Sequence, residues 1–280
     1  MDIKKKMESA LYFRLSSYLP APLKVKVYRH YNKSKGIGFD IVEGKDYFEY
    51  RFNGGLSMRI AKDSWMLEEF WSRIPHMTDG DLGRYELREG DVVIDCGAYI
   101  GVFTLYAAKL VGERGKVIAY EPDPLNYERL KRNVEMNGLK NVALLNKATW
   151  SSRGSMKFDN KGLGTSTLFV DKKDSPIIPD AKEAKDVIEV PIVTIDEEAE
   201  ELGLGHVDFI KMDIEGAEIE TVKGAVKVLA ENDVHLAIAS NHIVDGRYTK
   251  FALEELFPKM GYGFETAYPA HLTTYAWKKK

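Results

Sequence analysis

Residues 92–101, Val-Val-Ile-Asp-Cys-Gly-Ala-Tyr-Ile-Gly, constrain the fold more than any other segment of the chain. Val92, Val93 and Ile94 predict a buried strand, Asp95 ends it, and Gly97 and Gly101 open a helix. A glycine turn lets a ligand approach the backbone, and a helix N-terminus offers unpaired N–H groups. A dinucleotide fingerprint would place a second glycine two residues after the first. Tyr99 stands there and would crowd a pyrophosphate. The ligand this spacing suits is an adenosyl group without phosphates, which points to S-adenosylmethionine and methyl transfer.

A second signal follows one helix later. Lys116–Tyr120 is an apolar run that ends in Glu121-Pro122-Asp123-Pro124. Glu121 lies 24 residues after Gly97, close to the interval at which an acid reaches a ribose in βαβ nucleotide folds. The plainer reading of Glu121 is a strand-ending residue. Asp123 and Pro124 read as the N-cap and first residue of the next helix.

From residue 91 strands and helices alternate. Strands are predicted near 92–95, 116–120, 142–146, 207–212 and 235–239, and helices near 101–111, 124–137, 217–230 and 250–260. This alternation implies a mostly parallel sheet covered on both faces. Between 151 and 196 the helical rhythm stops, and Ser155–Phe158, Ser166–Val170 and Val187–Val193 predict an antiparallel insertion. Phe264–Tyr268 and Leu272–Trp277 predict a closing strand pair with one reversed strand. Residues 1–80 form an N-terminal appendage to a domain spanning 81–280. Within it, Phe48–Phe52 and Leu56–Ile60 flank Asn53-Gly54-Gly55 as a hairpin, and residues 63–74 carry an aromatic helical stripe.

With 280 residues the chain can bury a full core, and its formal net charge of −3 offers no general nucleic-acid footprint. Cys96 is the single cysteine, so no disulfide forms within the chain and a reducing, cytoplasmic location is expected. Inside the glycine turn Cys96 reads as a small buried residue before it reads as a nucleophile. No apolar run is long enough to span a bilayer, and no signal-peptide pattern is present.

Ligands of open α/β sheets lie beyond the carboxyl ends of the strands. Asp95, Glu121, Ala148 and Asp213 fall at such ends. Residues 209–218, Phe-Ile-Lys-Met-Asp-Ile-Glu-Gly-Ala-Glu, bring three carboxylates to one strand end and helix start. Glu215 and Glu218 there can simply complement the helix dipole.

Val92–Thr104, Tyr120–Pro124 and Lys211–Glu218 together resemble the FkbM family of S-adenosylmethionine-dependent methyltransferases, over about residues 85–277. The resemblance implies a seven-stranded class I methyltransferase fold and O-methylation of a hydroxyl on a sugar or other small molecule. It implies cofactor contacts at Asp95, Gly97, Ala98, Gly101 and Glu121, with Pro122, Ala148 and Asp213 completing the set. Lys211, Asp213 and Glu215 correspond to the acidic motif of the fourth strand. Many members end the fifth strand with a glutamate and a nearby histidine. Here the run is Ala239-Ser240-Asn241-His242, with Ser240 where the acid is often found.

Methyl transfer needs an acceptor held in line and a group to take the hydroxyl proton. His242 is the expected base, as a neutral imidazole near pH 7, with Asp213 orienting the acceptor or sharing the proton. A loop histidine without such a role is the alternative. Asp213 and Glu215 offer adjacent oxygen ligands to a divalent metal, but two such ligands do not specify one, and no metal ligand is assigned. His206 and His235 read as strand-edge residues, and Gly162–Gly164 with Thr165 and Ser166 as a lid or a hairpin turn. The competing functions are a tRNA methyltransferase, a non-catalytic module that binds the adenosyl ligand and a partner protein, and, more weakly, a protein lysine methyltransferase. An oligomeric state is not readable.

Overall fold

The computed structural model describes residues 39–52, 54–62, 82–159, 187–267 and 272–279. The chain divides into two compact units, Met1–Ile74 and Pro75–Lys280. In the first, β1 (Phe39–Glu43), β2 (Tyr47–Phe52) and β3 (Ser57–Ala61) form an antiparallel sheet in that order. The β2–β3 pair is the expected hairpin; Phe48 and Tyr50 on β2 and Met58 and Ile60 on β3 bury alternate positions. Glu49 is buried between them in sequence, and its carboxylate pairs with Arg51 at 2.8 Å and Arg59 at 2.9 Å. The remainder of the expected appendage, the aromatic stripe at 63–74, the Ser166–Val170 strand and the Gly162–Ser166 lid lie outside the described residues.

The second unit begins its regular structure with β4 (Val92–Cys96), α1 (Val102–Val111), β5 (Lys116–Tyr120), α2 (Pro124–Met136) and β6 (Val142–Leu145). A side sheet follows, made of β7 (Ala148–Thr149), β8 (Gly154–Asp159) and β9 (Val187–Val193), then α3 (Ile195–Glu201). The chain returns through β10 (Phe209–Met212), α4 (Glu218–Lys223), α5 (Val226–Glu231) and β11 (His235–Ala239). A short hairpin, β12 (Ile243–Val244) and β13 (Arg247–Tyr248), leads into α6 (Thr249–Lys259), β14 (Tyr262–Ala267) and β15 (Thr273–Lys278).

The main sheet has seven strands in the order β14-β15-β11-β10-β4-β5-β6. β11, β10, β4, β5 and β6 pair in parallel, and β15 runs antiparallel to both β11 and β14. This is the class I methyltransferase sheet with its one reversed strand. Its residues alternate between two cores. Val93, Val117, Phe209 and Ala237 pack with α1 on one face, while Ile94, Ile118, Ile210 and Ile238 pack with α4, α5 and α6 on the other. Burial on both faces explains why these strands read as continuous apolar runs.

Two features differ from the sequence expectation. The helix expected over 217–230 is two helices broken at Gly224-Ala225. A Cβ on Gly224 would overlap the carbonyl oxygen of Trp150, so the break lets the side-sheet segment lie against the helix pair. The restart of α5 is secured by Asp196, whose carboxylate accepts from Lys227 N at 2.9 Å and Val228 N at 2.8 Å. That aspartate sits on α3, the second difference, a helix the apolar periodicity does not reveal. Its start is nevertheless written in Thr194-Ile-Asp-Glu197: Thr194 Oγ1 accepts from Glu197 N at 3.0 Å and donates to the Glu197 carboxylate at 2.9 Å.

Gly224→Ala is expected to destabilise the fold by about 1–3 kcal/mol, the usual cost of overpacking against rigid backbone. Gly205→Ala, with no atom near its added methyl, is expected to stay within about 0.5 kcal/mol of the parent. Urea unfolding midpoints of the two variants check the contrast.

Candidate active site

The parallel strands end on one edge. β4 runs into the glycine turn, β5 into Glu121, β10 into Asp213 and β11 into Ser240. In the turn Gly97 and Gly101 have φ of +80° and +97°, and Tyr99 between them also has positive φ. Gly97 N and Ala98 N both donate to Tyr120 O, at 3.0 and 2.9 Å. Gly101 starts α1 with no side-chain cap, so its first-turn N–H groups are not consumed by a capping side chain. A Cβ on Gly97 would overlap the carbonyl oxygen of Asp213. The turn therefore touches the loop after β10 backbone to backbone.

Asp95 is fully buried below this turn. One oxygen accepts from Thr104 Oγ1 at 2.6 Å, and the other faces Lys211 Nζ at 3.3 Å. Lys211 Nζ also donates to Gly97 O at 3.1 Å. Asp95 thus braces the turn from beneath. Thr104 and Lys211 both fall within the family-resembling segments, but their contacts with Asp95 arise from packing, the parallel register setting Lys211 opposite Asp95.

Glu121 is buried beside the turn. Its Oε2 accepts from Tyr99 N at 2.7 Å and its Oε1 from Asp123 N at 3.0 Å. Burial pushes its acid up to about 8, although both N–H groups pull the other way. Asp123 caps α2 as expected, accepting from Leu125 N and Asn126 N. Pro122 is half-buried between them, and its carbonyl and that of Glu121 accept from Asn146 Nδ2. Ala148 packs in the side-sheet core with Phe158, Val190, Ile192 and Ala217.

Across the turn lies a second cluster. Glu215 (φ 54°) and Gly216 (φ 109°) take left-handed conformations in the loop between β10 and α4. Glu218, fully buried at the start of α4, accepts from Ile214 N at 3.1 Å and Gly216 N at 3.2 Å through Oε1. The same oxygen lies 2.8 Å from His242 Nδ1. His242 Nε2 points the other way, 3.7 Å from both Asp213 Oδ1 and Glu215 Oε2. Side-chain exposure is 0% for Glu218, 11% for His242, 23% for Asp213 and 29% for Glu215, so the cluster opens toward its aspartate and glutamate side. Burial by itself would lower the imidazole pKa. The Glu218 carboxylate foremost, then Asp213 and Glu215, overcome it and raise His242 to about 10. The neutral imidazole expected near pH 7 is therefore not the form these surroundings favour.

The other sequence candidates have structural partners. Ser240 turns into the sheet, accepting from Thr274 Oγ1 at 2.9 Å. His235 packs on Tyr85 with the two rings tilted by 31°, and His206 lies 3.1 Å from Asp208, both at the opposite end of the strands. Cys96 is fully buried.

A family model described as the methyltransferase FkbM domain matches residues 95–264. The chain belongs to the FkbM methyltransferase family. Within and around that family, methyltransferase sdnD of Sordaria araneosa is 30% identical over 176 residues, 55% of this chain and 65% of sdnD. Methyltransferase 1 of Beauveria bassiana is 27% identical over 165 residues, 55% of this chain and 63% of that protein. The chain thus spans just under two thirds of these two curated relatives. The 31-O-demethyl-FK506 methyltransferase FkbM of Streptomyces tacrolimicus is 26% identical over 200 residues, 64% of this chain and 74% of that protein. A solved methyltransferase FkbM from Methylobacillus flagellatus KT aligns with a TM-score of 0.49 at 18% identity, over 72% of this chain and 47% of that one.

Two outcomes follow for this FkbM member. Burial raises the Cys96 thiol to about 12, so at pH 8 it should resist iodoacetamide in the native state and alkylate fully in urea, as read by intact mass. Lys211→Met should destabilise the protein by about 3–5 kcal/mol, because it strands the Asp95 charge without its cation; chemical unfolding measures the loss.

Proposed function

We propose that this FkbM family member transfers the methyl group of S-adenosylmethionine to a hydroxyl of a small-molecule or sugar acceptor. The observation that carries the reading is the pair of acidic sites on the two sides of Gly97: Glu121 on one, the Asp213–Glu215–His242 cluster on the other. A carboxylate has about four lone-pair sites. The backbone N–H groups of Tyr99 and Asp123 take one each, leaving two for the ribose hydroxyls. The backbone of Gly97, Ala98 and Gly101 borders the adenosyl group, with Pro122 and Ala148 on its base side. Asp95 is then a positioning residue that acts through the turn it braces.

The acceptor is held at the open side of the cluster, with Asp213 and His242 as the catalytic residues. The acceptor oxygen attacks the sulfonium methyl carbon. A C–O bond forms, the C–S bond breaks with its electron pair going to sulfur, and the hydroxyl proton passes to the cluster. Ile243 and Tyr248, exposed on the hairpin that directly follows His242, supply the apolar and aromatic surface that small-molecule sites use.

Calorimetry with S-adenosylhomocysteine tests the cofactor half. Tight binding is expected, NAD should bind much more weakly, and Glu121→Ala should cost about 1–3 kcal/mol. Equal binding of NAD would defeat the assignment. The pH dependence has a definite sign. In the empty site Glu121 holds its proton up to about pH 8. Hydroxyls donating to the carboxylate favour the ionised form, so binding below that pH releases a proton. S-adenosylhomocysteine affinity should therefore rise as pH increases toward 8 and level off above it. Glu121→Gln should flatten the profile and abolish the proton release seen in buffers of different ionisation heat.

For the catalytic half, Asp213→Asn and His242→Gln should each lower S-adenosylhomocysteine formation by about 10²–10⁴-fold while leaving cofactor affinity nearly unchanged. Full turnover in both variants would remove them from the chemistry.

A further inference from the structure

We propose that Asp213, Glu215 and His242 form a divalent-cation site, with Glu218 as the residue that orients the histidine. The proposal deepens the reading above and rests on it for the role of the ion, which is to hold the acceptor hydroxyl.

The geometry is that of a ligand set. One atom from each of the three side chains lies within 4.8 Å of the others. His242 Nε2 stands 3.7 Å from a carboxylate oxygen of Asp213 and of Glu215, too far for a hydrogen bond. Two ligands bound about 2.1–2.2 Å from one ion at neighbouring tetrahedral positions lie about 3.5 Å apart. A small inward movement of the two half-exposed acids reaches that spacing.

The second observation concerns the other ring nitrogen. Histidines that bind metal almost always give their second N–H to a carboxylate, which fixes tautomer and ring orientation. His242 Nδ1 is buried 2.8 Å from Glu218 Oε1, a charge contact in which the N–H is not aligned for a hydrogen bond, and Glu218 is held by Ile214 N and Gly216 N rather than by the histidine. Its other oxygen, Oε2, is buried and makes no hydrogen bond among the described residues. A fully buried carboxylate placed behind the imidazole turns Nε2 toward the open side, between the two acids. An ordinary surface ion pair has no need of such a backing group.

An arriving ion displaces the Nε2 proton of His242 to solvent, and the resulting imidazole with two carboxylates suits Mn²⁺ or Zn²⁺ better than Ca²⁺, which prefers an all-oxygen cage. An ion here leaves its solvent-facing positions for the acceptor. As a Lewis acid it lowers the pKa of the coordinated hydroxyl. The proton passes to the second oxygen of the Asp213 carboxylate and on to water at the open side, the oxygen lone pair forms the bond to the methyl carbon, and the C–S electron pair stays on sulfur.

The test uses the full chain, stripped with chelator and titrated with Mn²⁺ followed by electron paramagnetic resonance, and with Zn²⁺ by calorimetry. One ion per chain is expected. Glu215→Gln and His242→Gln should each weaken it at least tenfold, and Glu218→Gln by about 10–100-fold. S-adenosylhomocysteine binding, measured in the same samples, reports that each variant is folded; Glu215→Gln, half-exposed, is the variant least able to disturb the fold. No ion bound at roughly millimolar concentration, a regime that captures even weak sites, overturns the proposal, as does binding that the variants leave unchanged. Cofactor binding without ion binding sinks the ion alone. Ion binding without cofactor binding sinks the methyl-transfer reading and leaves the metal site standing.

Discussion

The missing side chain at position 97 is the constraint on which the edge of the sheet depends. β4 and β10 run side by side with Asp95 opposite Lys211 and Cys96 opposite Met212. Asp213 N then donates to Cys96 O at 3.1 Å, and the chain must pass the Asp213 carbonyl at a distance that no Cβ allows. Glycine meets both demands, the close approach and the positive φ. Lys211 closes the arrangement by touching the Asp95 carboxylate and the Gly97 carbonyl together. A buried ion pair adds little net stability, because desolvation offsets attraction. What it contributes here is position: the turn cannot shift without stranding a charge. The two halves of the candidate site therefore share one wall.

Asp95, Glu218 and Glu121, buried at this edge, are satisfied in three ways, and the differences define what each can do. Asp95 is enclosed by a hydroxyl and an ammonium and faces no solvent. Glu218 accepts from two backbone N–H groups through one oxygen, which also stands in charge contact with the His242 imidazole. Both are suited to holding other groups in place. Among the described residues Glu121 receives two N–H groups, and burial raises its acid to about 8. A buried acid left short of donors is a site prepared for donors that arrive with a ligand. Its elevated pKa also means that the empty fold is destabilised as pH rises from the ordinary glutamate range through 8, a cost that a ligand donating hydroxyls would relieve.

The architecture was legible wherever burial on both faces wrote continuous apolar runs. β4, β5 and β11 begin and end within a residue of their expected positions, and the Asp123-Pro124 start of α2 is borne out by its capping bonds. The reversed β15 was readable as the second run of a closing pair. α3 was hidden because seven residues give too short a window for helical periodicity, although its Thr194–Glu197 cap was on view. The break at Gly224 depends on Trp150, 74 residues away, and no local pattern can announce such a contact. The same limit separates the site residues. Asp213, Glu215 and His242 were visible as strand-end and loop groups and do converge. Glu218 read as a dipole-complementing acid because its burial and its contact with His242 arise only from the packing of α4 against the loop after β11. The charge state of His242 differs from the sequence expectation for that reason: against a burial that lowers its pKa, the Glu218 carboxylate is the foremost of the charges that raise it.

The departure at Ser240 finds its counterpart in that same contact. Family members that carry an acid at the end of the fifth strand place it beside the histidine within one segment. In this chain Ser240 faces inward, bonded to Thr274 and to Leu272 O, and the carboxylate behind His242 comes from α4 instead. The next residues fold into the β12–β13 hairpin, whose Asp245-Gly246 tip takes the left-handed conformations of a tight turn and whose Ile243 and Tyr248 stand exposed. A hairpin closed by its own short ladder can change side chains without disturbing the sheet or the cluster. The glycine turn and the carboxylate cluster meet backbone to backbone at Gly97, whereas the hairpin is closed by Thr249 N, which returns to His242 O at 2.8 Å, so its exposed side chains stand apart from the buried contacts that hold the turn.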